Sequence, residues 1–163
     1  MVRHAQAGSK EDWQRDDASR PLTERGVEQA LALADFLVLY GPRRVVSSPL
    51  LRCVQTVEPL ASRIGRAVEA TAALGPTAGE WAAALVCGLA LDDGPIVVCT
   101  HGETIEALQR HLGGTGWSGF AARNAHEKGS VWVVETRAGA VVSAEYFPPA
   151  SMGERLTPSA AEH

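Results

Sequence analysis

The apolar positions that follow Leu22 repeat at helical spacing. Between residues 22 and 38 they recur at i, i+3, i+4 and i+7, and Thr23 stands where a side chain can cap a helix. The pattern predicts an amphipathic helix that Gly41-Pro42 ends. The apolar pair Val45-Val46 then predicts a strand.

A second helix is predicted to start at Ser47-Ser48-Pro49, because serine caps helices and proline is favoured at the first helical position. Arg52 then falls in the opening turn of this helix. Pro59 is expected to kink or break it, and Gly65 is expected to end the helical segment after that proline.

Strands and helices continue to alternate along the chain. Residues 67–69 predict a short strand and residues 79–91 an alanine-rich helix. Residues 96–99 are continuously apolar, as in a strand that helices cover on both faces, and a helix begins near Glu103. The alternation predicts a three-layer α/β/α sandwich with a mainly parallel central sheet.

The end of the chain predicts a hairpin, from residues 131–135 and 141–146. We assign one domain to residues 1–147 and a mobile tail to residues 148–163. The first strand is unusually short, because a buried strand usually needs about five residues and only two precede Arg3-His4. We therefore expect a truncated strand: either the natural chain begins upstream of Met1, with room for another domain, or its start has been trimmed.

Composition narrows the class of protein. The 163 residues are 45% hydrophobic and 21% charged, which fits one globular domain. The net charge of −4, without a basic block, argues against binding of nucleic-acid polymers or anionic membranes. No apolar run is long enough to span a bilayer. Cys53, Cys87 and Cys99 lack metal-binding spacing and disfavour a disulfide framework, so we expect a cytoplasmic protein.

Basic side chains follow three of the predicted strands. Arg3-His4 follows the first strand, Arg52 lies in the helix after the second, and His101 follows residues 96–99. Ligands of open α/β sheets bind beyond the carboxyl ends of the strands, so these side chains are expected to converge on an oxyanion such as phosphate. A neutral imidazole can attack phosphorus while guanidinium groups stabilise the equatorial oxygens.

Three motifs carry a resemblance to a known family. Val2-Arg3-His4-Ala5, residues 47–56 (SSPLLRCVQT) and residues 100–103 (THGE) resemble, in this order, the signatures of the histidine phosphatase superfamily, which has the phosphoglycerate-mutase-like fold. The resemblance implies that His4 is the nucleophile and becomes phosphohistidine. It implies that Arg3 and Arg52 clamp the phosphoryl group, that His101 donates a hydrogen bond to it, and that no metal or cofactor takes part.

Within the superfamily, residues 7–23 resemble two small groups that the sequence does not separate. One is the phosphohistidine phosphatases; the other is the histidine phosphatase domain that comes after Nudix hydrolase domains. The chain departs from the family pattern at Ala5, where glycine is commoner, and near residues 74–76, where larger members carry an acidic residue. A positioned acid typically supplies about 10² to 10⁴ in rate, so its absence favours substrates with easy leaving groups. Glu69, Glu80 and Glu103 are left as alternative donors.

Residues around the motifs have weaker assignments. Ser9 and Lys10 follow the nucleophile and either reach substrate or lie in solvent, and Glu103 is a further substrate-binding candidate at a helix start. Arg20 either contacts phosphate or, as we favour, anchors its loop through Asp16 or Asp17. His126 lies in a polar loop with Lys128 and either visits the site or, as we favour, has no role there.

The sequence therefore predicts a metal-independent phosphohydrolase that acts through a covalent phosphohistidine on His4. Its expected substrate is a phosphohistidine protein or another phosphorylated compound with an easy leaving group. One alternative is a nucleotide phosphatase domain associated with a Nudix partner, and another is a weakly active phosphate-binding regulatory module. A zinc site on His4 and His101 is disfavoured, because it lacks a well-spaced third ligand and two arginines would repel the cation.

Overall fold

A single six-stranded sheet organises the molecule. The computed structural model describes residues 1–91, 94–113, 125–137 and 140–149. The strands are β1 (Val2–Arg3), β2 (Arg44–Ser47), β3 (Val68–Ala70), β4 (Ile96–Thr100), β5 (Val131–Arg137) and β6 (Ala140–Phe147). The α-helices of this part are α1 (Glu24–Leu37), α2 (Leu51–Arg63), α3 (Glu80–Leu89) and α4 (Gly102–Gly113).

The order of the strands is β3-β2-β4-β1-β5-β6. The first four of these are parallel, with Val45 opposite Val97 and Val2 opposite Cys99. β5 runs antiparallel to both β1 and β6. The mainly parallel sheet and the terminal hairpin are therefore as predicted, and the short β1 lies between two longer strands.

Alternate residues of the strands face two helical layers. Val45 and Val97 pack in one core with side chains of α1 and α2, such as Phe36 and Leu60. Their neighbours in sequence, Val46 and Val98, pack in a second core with Ala82 of α3 and other residues of that helix. Because successive strand residues point to opposite faces, both faces are covered, which confirms the three-layer α/β/α sandwich.

Helix α1 begins as predicted and is tied to the segment after β1. The Thr23 hydroxyl oxygen accepts the Gly26 N–H at 3.1 Å and donates to the Gln6 carbonyl at 3.1 Å. A Cβ at position 26 would lie 2.0 Å from the same carbonyl oxygen, so only glycine allows this approach. The contact fixes the backbone two residues beyond His4.

Helix α2 differs from the prediction at two points. It begins at Leu51 after Leu50 as N-cap, without a side-chain cap, so the predicted serine cap is wrong. Pro59 was predicted to kink or break the helix; the break is wrong, because the helix continues to Arg63, and a kink stays a prediction. Proline removes one helical hydrogen bond, but buried Val57 and Leu60 hold this face of α2 in the main core.

The predictions about the two ends of the chain are largely untested by the structure. The sheet ends at Phe147, and residues 150–163 of the predicted mobile tail lie outside the described residues. The division into a domain of residues 1–147 and a tail, and an extension upstream of Met1, stay predictions. Across the described ranges, no helix is long and apolar enough to cross a membrane. A cytoplasmic location also stays a prediction.

Candidate active site

The carboxyl ends of β1, β2 and β4 meet at one edge of the sheet. The His4 N–H donates to the Thr100 carbonyl at 3.0 Å, and the Ser48 N–H donates to the Cys99 carbonyl at 2.9 Å. These bonds align the residues directly after the three strands. Backbone hydrogen bonds therefore bring the ends of the three strands together at the edge where the basic side chains were predicted to converge.

His4 is held in one tautomer. The residue is 6% exposed, and Nδ1 of its ring lies 2.8 Å from the Ala5 carbonyl oxygen. A carbonyl oxygen only accepts, so Nδ1 carries the proton and the lone pair of the neutral ring is on Nε2. The Ala5 N–H donates to the Thr56 hydroxyl at 2.9 Å, and that hydroxyl donates to the Arg52 carbonyl at 2.6 Å. The backbone that holds His4 is thereby linked to α2.

Burial keeps the His4 imidazole neutral. The pKa of His4 is lowered to about 3, mainly by burial. The hydrogen bond to Ala5 opposes the shift, and the neighbouring His101 and the positive charges of Arg52 and Arg3 add to it. An imidazole with this pKa has an unprotonated Nε2 at neutral pH. The ring is therefore prepared for nucleophilic attack without a base to deprotonate it.

His101 lies beside His4 at the end of β4. The two ring centroids are 5.4 Å apart and the rings are inclined at 63°. His101 Nε2 is 2.9 Å from the Ser48 hydroxyl oxygen and 3.6 Å from the Cys53 sulfur. These contacts leave Nδ1 as the ring nitrogen without a partner among the described residues. Ser48, which the sequence assigned to a helix cap, instead orients His101.

Arg52 lies in the first turn of α2 and is 4% exposed. Its Nη1 donates to the Asp17 carbonyl at 2.9 Å, and its Nη2 donates to Asp17 Oδ2 at 3.1 Å. Its buried Nε–H has no acceptor among the described residues. The guanidinium is therefore fixed through its two Nη atoms, while its buried Nε–H stays available for a ligand.

Asp17 also binds Arg20. Asp17 Oδ1 accepts from Arg20 Nε at 2.8 Å, and Arg20 Nη1 donates to the Gly8 carbonyl at 2.5 Å. Burial raises the pKa of Asp17, but hydrogen bonds and charges from Arg20 and Arg52 outweigh this and hold it below its usual value. Arg20 thus anchors the loop through Asp17, the arrangement that the sequence favoured. Its predicted contact with substrate stays a prediction.

Arg3 approaches from β1 and is held by other groups. Its Nη1 donates to the His126 carbonyl at 2.5 Å and lies 3.1 Å from His126 Nδ1. A Cβ at Gly102 would lie 3.0 Å from Arg3 Cζ, so the guanidinium packs directly on the start of α4. Like Arg52, Arg3 has a buried Nε–H that meets no acceptor in the described part of the chain.

The segment 126–130 lies on this side of the site, the alternative that the sequence analysis did not favour for His126. The Gly129 N–H lies 3.2 Å from the Arg3 carbonyl and 3.1 Å from the His4 carbonyl, and the Arg3 N–H donates to the Ser130 carbonyl at 3.1 Å. Partial burial lowers the pKa of Lys128, as do the charges of Arg3, Arg20 and Arg52. Lys128 is therefore a further cation near the two arginines.

The peripheral candidates are not brought into contact with His4, Arg3, Arg52 or His101. The Ser9 hydroxyl accepts the Glu11 N–H at 3.2 Å on an exposed loop, and Lys10 and Glu103 are also exposed. Their predicted contacts with substrate stay predictions. Of the alternative proton donors, Glu69 is paired with Arg44 at 2.7 Å.

The arrangement has the chemistry of an oxyanion site. A neutral imidazole lone pair and two buried, unpartnered guanidinium N–H groups lie at one edge of the sheet. Over the residues that the structure describes, no group of three or more His, Cys, Asp or Glu side chains could hold a metal ion. At the carboxyl ends of parallel strands in an α/β sheet, this set of donors has the chemistry that binds an oxyanion such as phosphate.

Comparisons with known proteins identify the family. Residues 1–83 match the histidine phosphatase superfamily (branch 1), and the chain belongs to this superfamily. The 8-oxo-(d)GTP phosphatase of Mycolicibacterium smegmatis is 31% identical over 158 residues, which cover 91% of this chain and 47% of that protein. The chain thus spans about half the length of this curated relative.

Solved structures show the same fold. A phosphohistidine phosphatase, SixA from Agrobacterium tumefaciens, has a TM-score of 0.73 at 22% identity and covers 91% of this chain and 95% of its own. The protein histidine phosphatase SixA complexed with tungstate has a TM-score of 0.72 at 20% identity, covering 93% and 96%. The predicted fold and the predicted membership of this superfamily are therefore confirmed.

Proposed function

We propose that this protein is a metal-independent phosphohydrolase that acts through a covalent phosphohistidine on His4. The observation that carries this proposal is the His4 ring itself: it is buried, neutral, and fixed with the lone pair on Nε2. The buried Nε–H groups of Arg3 and Arg52 supply donors for the phosphoryl oxygens.

The reaction has two displacements. Nε2 of His4 attacks phosphorus, a P–N bond forms, and the bond from phosphorus to the leaving group breaks, so the leaving group departs with its electron pair. Water then attacks the phosphohistidine, the P–N bond breaks, and inorganic phosphate and neutral His4 are released. Arg3 and Arg52 stabilise the equatorial oxygens in both steps, and His101 donates from Nδ1 while Ser48 holds Nε2.

The substrate is a compound with an easy leaving group. Residues 72–78, which lie beside the site, contain no acidic side chain. The Thr100 and Thr104 hydroxyls donate to the Leu74 and Gly75 carbonyls at 2.7 and 2.9 Å, so this segment is fixed at the end of β4. Imidazole leaving from phosphohistidine, or phosphate leaving from a phosphoanhydride, needs less protonation than a sugar hydroxyl. We favour a phosphohistidine protein as substrate.

A second candidate is a nucleotide phosphatase. The 31% identical relative is an 8-oxo-(d)GTP phosphatase, and Lys128 adds a cation near Arg3, Arg20 and Arg52 that a second phosphate group could meet. The relative is about twice as long as the chain, so a Nudix domain partner belongs to this candidate.

The test compares para-nitrophenyl phosphate, a phosphohistidine protein and nucleoside phosphates as substrates, each with and without EDTA. We expect phosphate release that EDTA does not change and that His4→Ala abolishes, with His111→Ala, an exposed histidine on α4, as the matched control. The preferred substrate separates the first candidate from the second. If wild type and His4→Ala are equally inactive while both bind phosphate, the protein is a phosphate-binding module.

A pH titration tests the neutral state of His4 on which the proposal depends. The pKa of about 3 predicts that the His4 ring stays neutral well below the ordinary histidine value of about 6.5. An NMR titration of the free protein should show no protonation of His4 between about pH 8 and about pH 5, a range that brackets the ordinary histidine pKa of about 6.5. Protonation of His4 near pH 6.5 would contradict the neutral, pre-formed nucleophile.

A further inference from the structure

His126 links Arg3 to a carboxylate on α4. Arg3 Nη1 contacts both the carbonyl oxygen and Nδ1 of His126, at 2.5 and 3.1 Å. A guanidinium only donates, so Nδ1 of His126 accepts and the ring proton sits on Nε2. Nε2 in turn lies 2.5 Å from Glu106 Oε1, a close polar contact outside ideal hydrogen-bond geometry.

Two residues of α4 contact Arg3 and its partner: one packs against the Arg3 guanidinium, and the other lies beside His126. Gly102 forms the first turn of α4 and packs against Arg3 Cζ, and Glu106 comes one helical turn later and faces His126. Residues four apart share a helix face, so both contacts come from one side of α4. Arg3 is thus bounded by the helix on one side and by His126 at its Nη1 end.

The backbone around His126 is fixed relative to the nucleophile. Gly129 donates toward the carbonyls of Arg3 and His4, and Ser130 accepts from Arg3 N–H. Gly129 has φ of 80°, and a Cβ there would come within 3.2 Å of the Gln29 amide. The segment that carries His126 is therefore hydrogen-bonded to the backbone of Arg3 and His4, the arginine and the proposed nucleophile.

We propose that His126 and Glu106 are positioning residues that orient the Arg3 guanidinium so that its Nε–H points to the phosphoryl oxygen. This inference rests on the proposed function, which assigns Arg3 to the phosphoryl group. His126 does not serve as the missing proton donor, because Arg3 occupies one ring nitrogen and Glu106 the other. The Glu106 carboxylate beside Nε2 favours the tautomer with the proton on that nitrogen, in which Nδ1 accepts from Arg3.

The test uses His126→Ala, His126→Asn and Glu106→Gln, each in the wild-type and in the Arg3→Ala background. With para-nitrophenyl phosphate, His126→Ala should lower kcat about tenfold and change KM less than about twofold, because Arg3 acts on charge that develops in the transition state. His126→Asn should recover most of this loss, because its amide oxygen can replace Nδ1 as acceptor. In the Arg3→Ala background both effects should vanish.

Controls separate positioning from general damage. His111→Ala and Glu58→Gln change exposed residues of the same types outside the site and should leave kcat unchanged. The melting temperature of each variant reports on folding. An equal loss of kcat from His126→Ala with and without Arg3, no loss at all, or no recovery in His126→Asn would overturn the proposal.

A calorimetric titration with inorganic phosphate makes the result independent of turnover. If wild type proves inactive, the proposed function fails, but the positioning role still predicts that His126→Ala weakens phosphate binding by about threefold or more only when Arg3 is present. Unchanged phosphate affinity in that case would overturn the inference separately from the function.

Discussion

Arg52 is held by a carboxylate, whereas Arg3 is held by neutral groups. Arg52 is almost fully buried, and both its Nη atoms donate to Asp17. Arg3 donates from Nη1 to a carbonyl and an imidazole nitrogen of His126 and packs against Gly102. Both keep one buried Nε–H without an acceptor among the described residues, so they present the same donor in different electrostatic settings.

The two arginines differ in how firmly they are held and in how much of their positive charge a neighbour offsets. A charge-assisted hydrogen bond is roughly twice as strong as a neutral one, so Asp17 holds Arg52 firmly, but its negative charge offsets part of the attraction of Arg52 for an anion. Neutral acceptors hold Arg3 less firmly and leave its charge undiminished. In the proposed reaction, Arg52 is therefore the more firmly positioned arginine, and we expect Arg3 to contribute more of the positive potential at the phosphoryl group.

The largest expected effect comes from removing each arginine. Loss of one donor to a developing oxyanion costs about 10² to 10³ in kcat, and Arg3→Ala should fall at the upper end while Arg52→Ala falls at the lower end. Steady-state kinetics on both variants, with exposed Arg66→Ala as control, measure the difference. Arg52→Ala should instead lower the melting temperature more, because it leaves Asp17 without its buried partner. A larger loss of kcat in Arg52→Ala would contradict the comparison.

A smaller effect is expected from the packing that orients Arg3. In Gly102→Ala the new methyl group would lie 3.0 Å from Arg3 Cζ and must displace the guanidinium. We expect kcat to fall about tenfold, since a small misplacement of a stabilising group is costly. Gly88→Ala is the matched control, because it adds the same methyl group to a helix where nothing lies within 4 Å. Equal activity of the two variants would show that packing against Gly102 does not position the Arg3 guanidinium.

The two arginines also show how far the sequence determines the site. Helix α1 and strand β4 were predictable, because a capping threonine and a continuous apolar run are local signals. Arg3 and Arg52 were placed at one sheet edge by the alternation of strands and helices. The groups that hold them were harder to find, because each is defined by tertiary contact.

His126 is the clearest case of a contact without a local signal. It lies 123 residues from Arg3 in sequence, and its polar surroundings resemble any exposed loop. Ser48 shows a related limit: a serine before a helix can cap it or bind elsewhere, and here its hydroxyl contacts His101. Asp17 was one of two equivalent neighbours in sequence, and only the fold selects it over Asp16 as the partner of Arg20 and Arg52.

The smallest expected effect concerns the charge on Asp17. Asp17→Asn keeps an oxygen acceptor but removes a negative charge beside Arg52, so inorganic phosphate should bind about threefold more tightly, a modest gain because the Asp17 side chain is 34% exposed. Calorimetry on this variant, with the exposed Asp12→Asn as control, measures the change. Weaker binding would mean that the carboxylate matters more for placing Arg52 than for offsetting its charge.

The same variant tests the pH dependence of the Arg52 frame. The charged form of Asp17 stabilises the native state, because Arg20 and Arg52 hold its pKa below the ordinary value of 3.8. This contribution is present above that value and is lost as the pH falls through the lowered pKa. Between pH 5 and pH 2, approximate limits that bracket the ordinary value, urea unfolding should therefore show a steeper loss of stability in wild type than in Asp17→Asn. The Arg3 contacts, which contain no carboxylate in direct contact with the guanidinium, should not add to that difference, so Arg3→Ala should leave it unchanged.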